Sequence, residues 1–77
     1  MQIHVQLYGT LRDRLPAEAK GKTTLQLEAG ATAADALAEF GLDDAAMIAI
    51  NDEHESEHAQ ILQDGDRLSV FMPVAGG

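Results

Sequence analysis

The sequence VFMPVAGG, residues 70–77, carries an apolar run and a proline into two glycines, Gly76 and Gly77. A terminal carboxylate on such a tail can attack the α-phosphate of ATP, expelling pyrophosphate. The product is an acyl adenylate, whose carbonyl carbon then accepts a sulfur nucleophile such as sulfide or a persulfide. Glycine suits this position because it lacks Cβ, so the tail can thread a narrow channel and lie against backbone or nucleotide. Pro73 stiffens the base of the tail by fixing its own φ. Extended, residues 74–77 reach roughly 13 Å. That length carries Gly77 into a partner's active site while the folded body stays outside, with Ala75 and Val74 in the channel behind Gly76.

A second motif, HESEH at residues 54–58, has the H-E-x-x-H spacing that places two imidazoles on one helix face for zinc. Its neighbourhood argues against a helix: Asp52, Glu53, Glu55 and Glu57 crowd it, no apolar stripe runs through it, and a turn signal precedes it. As a strand it would hold His54 and His58 roughly 13 Å apart, too far to share one ion. The expectation is a solvated acidic edge strand or loop with no metal. His4, among glutamines on an outer strand face, is assigned no role. No nucleophile, base and orienting group fall into a recognisable arrangement, so independent catalysis is not expected.

Tyr8 and Phe71 are two of only three aromatic residues. Alternation places both on the outward face of strands expected to be neighbours, an exposed pair suited to anchoring a partner. Arg12, just beyond the first strand, is expected to add a charge at the rim.

Thirteen acidic and five basic side chains give a net charge of −8, which repels phosphate backbones and argues against nucleic acid. The same field speeds encounter with a basic surface. There is no cysteine, which rules out disulfide staples and thiol catalysis. The first residues lack the basic and apolar regions of a leader, and no apolar run has the length of a bilayer span. A cytoplasmic protein without membrane contact is expected, with residues 1–77 forming one domain and 73–77 a flexible tail. A chain of this length buries only about 60% of its unfolded surface, so the core must be small and efficiently packed.

The elements that position the tail and the aromatic pair follow from periodicity. Residues 2–8 alternate, with Ile3, Val5 and Leu7 on one side. Residues 11–21 are charged, contain Pro16, and predict a turn of helix ending in loop. Residues 23–28 alternate again, with Leu25 and Leu27 inward. Thr32 and Asp35 form a capping box. Ala33, Ala36, Leu37 and Phe40 then recur at helical spacing, and Gly41 provides a left-handed stop. Residues 47–50 form a continuous apolar run that predicts a central strand under the helix. Asn51-Asp52-Glu53 predicts a turn. Asp64-Gly65-Asp66 launches a last strand with Leu68, Val70 and Met72 inward. Strands packed on one helix make an α+β layer fold. With the first two strands as a hairpin and the last beside the first, it is a β-grasp with a mixed four- to five-stranded sheet.

The block LQDGDRLSVFMPVAGG resembles the C-terminal signature of the ubiquitin-like sulfur carriers of the MoaD/ThiS family. The opening IHVQLYGTLRDRL is similar in pattern to the molybdopterin synthase small-subunit type. The resemblance implies that Gly77 is adenylated by an ATP-dependent activating enzyme of the ThiF type and converted to a thiocarboxylate. ATP is used by that partner, and no cofactor is bound by this chain. It further implies a large catalytic subunit of molybdopterin synthase that takes in the tail and passes the sulfur to precursor Z. Val74, Phe71 and Tyr8 match family positions that contact partners. The stretch 40–47 is short for the molybdopterin type, and Met72 stands where a second proline is common. Carriers for thiamine, cysteine or tungsten-cofactor synthesis, or a protein-modifying ubiquitin-like module, therefore remain open.

Overall fold

The computed structural model describes residues 1–43, 45–53 and 56–72. Among the described residues four strands, β1 (Gln2–Leu7), β2 (Lys22–Gln26), β3 (Met47–Ile50) and β4 (Arg67–Phe71), form one sheet with one α-helix, α1 (Ala33–Ala38), on one face. The strand order is β2-β1-β4-β3. β1 pairs antiparallel with β2 and parallel with β4, and β3 pairs antiparallel with β4. This is the α+β, ubiquitin-like β-grasp arrangement. Among the described residues no helix is long and apolar enough to cross a membrane.

Alternation does what the sequence requires of it. Ile3, Val5 and Leu7 of β1 and Leu68 and Val70 of β4 are buried and form the centre of the core, joined by Ala33, Ala36 and Leu37 of α1. Small residues on the helix let its backbone come close to the sheet. Leu25, Leu27 and Phe40 pack at the margin of this cluster.

The helix ends are set by local chemistry. Thr32 Oγ1 accepts from Asp35 N and Asp35 Oδ2 accepts from Thr32 N, the reciprocal capping box. At the other end Gly41 takes φ +71°, Gly41 N donates to Ala38 O and Leu42 N to Leu37 O, the Schellman pattern. Six residues are too few to hold a helix alone, so these caps and the buried alanine face sustain it together. Thr32→Ala is expected to destabilise the protein by about 1 kcal/mol. For a domain of this size that is a fall in Tm of about 4–8 °C, measurable by circular dichroism.

Residues 9–21 form two 3₁₀ turns, Gly9–Arg14 and Ala17–Ala19, which end in the left-handed pair Lys20 and Gly21. Gly21 has no substitute here. A Cβ on it would lie 2.5 Å from the Leu7 carbonyl oxygen, and its φ is +79°. Asn51 and Asp52, at φ +51° and +71°, make the tight turn after β3, with Glu53 N donating to Ile50 O.

The structure changes two expectations. The apolar run 47–50 is an edge strand rather than a central one, because only β4 pairs with it while β1 and β4 occupy the middle. It reads as continuous because Ala49 is covered as well as Ile48 and Ile50, and Ser56 and His58 of the following segment bond its ends. Ser56 Oγ accepts from Ile50 N at 3.1 Å and donates to Glu53 O at 2.6 Å. The His58 ring bonds the Ala46 carbonyl at 2.6 Å. A carbonyl only accepts, so the proton lies on His58 Nε2. Side chains thus bond the Ile50 amide and the Ala46 carbonyl at the two ends of this edge. Among the described residues the segment after β3 makes only isolated bridges, Glu53 with Ile50 and Ile61 with Thr32 at the start of α1. Met72, expected inward, is 43% exposed because β4 ends at Phe71 and the ladder no longer holds it.

Candidate functional site

β4 is the strand that carries the chain toward its tail, and like β1 it is paired on both sides. The Asp64-Gly65-Asp66 turn fixes its start. Asp64 Oδ1 accepts from Gln2 N at 2.6 Å and Gly65 N donates to Gln2 O at 2.8 Å. Asp66 O accepts from His4 N at 2.9 Å, and Gly65 has φ +88°. The two Asp66 carboxylate oxygens take Gln63 N and Asn51 Nδ2. Asn51 Oδ1 in turn accepts from Arg67 N. These acids act as hydrogen-bond acceptors that lock the register of β1 against β4. Whatever follows Phe71 therefore starts from a fixed point.

That register brings the aromatic pair together. Leu7 lies opposite Val70, and Tyr8 N donates to Val70 O at 3.0 Å, so Tyr8 and Phe71 emerge side by side on the face away from α1. Tyr8 is 48% exposed and Phe71 partly so. Together with Ala49, Asp52 and Ser69 they line a shallow depression of about 290 Å³. Met47, paired with Phe71 across the β3–β4 ladder and 45% exposed, extends the apolar surface to a third strand. Sequence reasoning missed Met47 and Ala49 because it took 47–50 as one covered run. The period-2 split of Met47 and Ala49 from the buried Ile48 and Ile50 was the available signal.

Alongside lies a wider groove of about 500 Å³ on the same open face, lined among others by His4, Gln6, Lys22, Thr24, Arg67 and Ser69. Asp52, between the two depressions, pairs with Arg67 at 3.1 Å. Both partners are well exposed, so this ion pair contributes little stability. Arg12 is exposed but lines a separate cleft between the 3₁₀ turns, with Gly9, Asp13 and Lys20, and does not join Tyr8 and Phe71.

Val74, Ala75, Gly76 and Gly77 lie outside the described residues, as does His54 of the HESEH motif. His58, its other imidazole, sits in a turn with Nε2 committed to Ala46.

The class is that of the small ubiquitin-like β-grasp proteins, here with an exposed aromatic pair beside the last strand. The ThiS family model matches residues 5–77, and the chain belongs to the ThiS family. A search among curated proteins gives no significant match. Among solved structures the small archaeal modifier protein 1 of Haloferax volcanii superposes with a TM-score of 0.76 at 19% identity, covering 95% of this chain and 98% of that one. A putative molybdopterin converting factor subunit 1 from Pyrococcus furiosus gives 0.76 at 21% identity, covering 96% and 99%. A chain of the complex of subunits 1 and 2 of molybdopterin-converting factor from Helicobacter pylori gives 0.63 at 22% identity, covering both chains fully. At these identities the likeness is one of fold.

Proposed function

We propose that this protein is a sulfur carrier that works as a covalent cosubstrate. The Gly77 carboxylate attacks the α-phosphate of ATP on a partner activating enzyme, and pyrophosphate leaves. Sulfide then attacks the acyl carbon, AMP leaves, and the released proton goes to water, giving a thiocarboxylate. The observation that carries this reading is the family match, which runs without a break through β4 and on to Gly76 and Gly77. The fixed register of β4 supports it, because it sets where the chain leaves the sheet beside Tyr8. The sulfur acceptor we favour lies in molybdopterin synthesis. The chain would be the small subunit of molybdopterin synthase, and the tail would enter a large subunit. The Helicobacter pylori neighbour, a complex of two such subunits, supports this assignment.

Incubation with ATP, the cognate activating enzyme and sulfide is expected to raise the mass by about 16 Da, as one oxygen becomes sulfur. An unchanged mass with every cognate activator would refute the reading. The name of the Haloferax volcanii neighbour favours a second one, a protein modifier joined through Gly77 to lysines. In that case the same incubation in cell extract yields isopeptide conjugates rather than a stable thiocarboxylate.

A further inference from the structure

The two edges of the sheet are finished differently. Along β3 the returning segment supplies Ser56 and His58 to the outward backbone groups. Along β2 nothing comparable occurs. Leu27 N donates to Met1 O and Leu7 N to Gly21 O, so the antiparallel register turns the amides and carbonyls of Gly21, Thr23, Leu25 and Leu27 toward β1 and its flanks. The intervening residues Lys22, Thr24 and Gln26 point theirs away from the sheet. Among the described residues these outward groups have no hydrogen-bond partner. No proline or bulge interrupts β2, so it offers a straight template for another strand.

Charge and apolar surface select the occupant. Four of the five basic side chains, Arg12, Arg14, Lys20 and Lys22, fall in the stretch leading into this edge, with only two of the thirteen acidic ones, Asp13 and Glu18. Arg14 is engaged by the Phe40 carbonyl at 2.8 Å. Lys20 and Lys22 are exposed and form no ion pair among the described residues. Across the β1–β2 ladder His4 lies opposite Thr24, on the same open face as Lys22. On the helix side, Leu25 and Leu27 are only partly buried at the margin of the core.

We propose that the β2 edge binds an extended acidic peptide segment of a partner protein as an added strand. Residues of that strand opposite Lys22 and Thr24 share the open face with them and place carboxylates beside Lys22. The alternate residues face the helix side and cover Leu25 with apolar side chains. A second copy of this chain is the poorer occupant because its own β2, Lys22–Gln26, has no carboxylate to set beside Lys22. The site is independent of sulfur transfer, since β1 separates β2 from the tail-bearing β4.

The test is an NMR titration of the full-length, isotope-labelled protein with a blocked peptide of about seven residues alternating aspartate and valine. Saturable binding is expected, with shifts and slowed hydrogen exchange at the Lys22, Thr24 and Gln26 amides. Affinity should fall at least roughly tenfold for the lysine–valine peptide and for the surface variant Lys20→Glu/Lys22→Glu. It should fall likewise for a peptide methylated at every second amide, in one of the two registers. Equal binding of the lysine–valine peptide, no saturation at millimolar peptide, or shifts confined to Tyr8 and Phe71 would overturn the proposal. So would a concentration-dependent dimer that protects the Thr24 amide without peptide, since the occupant would then be a second copy.

Discussion

Deleting Gly77 is expected to abolish thiocarboxylate formation while leaving the fold untouched. The truncated protein still ends in a glycine carboxylate, Gly76, so the chemical group is retained and only its reach changes. One residue shortens an extended tail by about 3.3–3.6 Å. Misplacement of a reacting group by about 1 Å can already reduce a rate by about a hundredfold. A loss of at least two orders of magnitude in adenylation is therefore expected, read as ATP–pyrophosphate exchange and as the missing gain in mass. The core is built from residues between Ile3 and Val70, so Tm should stay within about 1 °C of the parent. A truncated protein that acquires sulfur at the parent rate would remove Gly77 from the chemistry. Binding of the acidic peptide at β2 should survive the deletion unchanged, which separates the two proposals.

Much of the fold was legible because its signals are local. The alternation in β1, the Thr32–Asp35 capping box, the Gly41 stop and the Asp64-Gly65-Asp66 turn each specify backbone geometry within a few residues, and each is found in place. Alternation gave the outward facing of Tyr8 and Phe71, but their juxtaposition rests on the parallel adjacency of β1 and β4, which periodicity alone does not give and the sheet order supplies. The position of β3 was not legible either. Whether an apolar run sits in the middle of a sheet or at its edge depends on what covers it, and here the polar segment that follows it bonds its edge through Ser56 and His58. Such side-chain bonds leave no periodic trace. Arg12 illustrates the same limit: its place just after β1 suggested the rim of the aromatic patch, but the 3₁₀ turn carries it to another cleft. Met72 was misjudged by continuing the β4 alternation one residue past the last ladder pair.

The aromatic pair should matter most to docking, whichever pathway receives the sulfur. Tyr8 and Phe71 lie in one depression at the end of β4, so a partner that takes in the tail is expected to cover them. Buried aromatic anchors typically cost about 2 kcal/mol or more each when truncated to alanine. The double variant Tyr8→Ala/Phe71→Ala is thus expected to lose between about 2 and 4 kcal/mol of binding to the activating enzyme, about thirtyfold to a thousandfold in Kd by isothermal titration calorimetry. The two side chains share a pocket, so the single variants should not sum to the double. Stability should change little, because Tyr8 is half exposed and Phe71 partly so, and neither belongs to the buried cluster. Arg12→Ala, whose side chain lines a different cleft, should weaken the same complex less than about tenfold. Measuring Kd without ATP isolates docking from the chemistry at Gly77. An unchanged Kd for the double variant would move the interface off this face, and a loss confined to Arg12→Ala would relocate it to the cleft between the 3₁₀ turns.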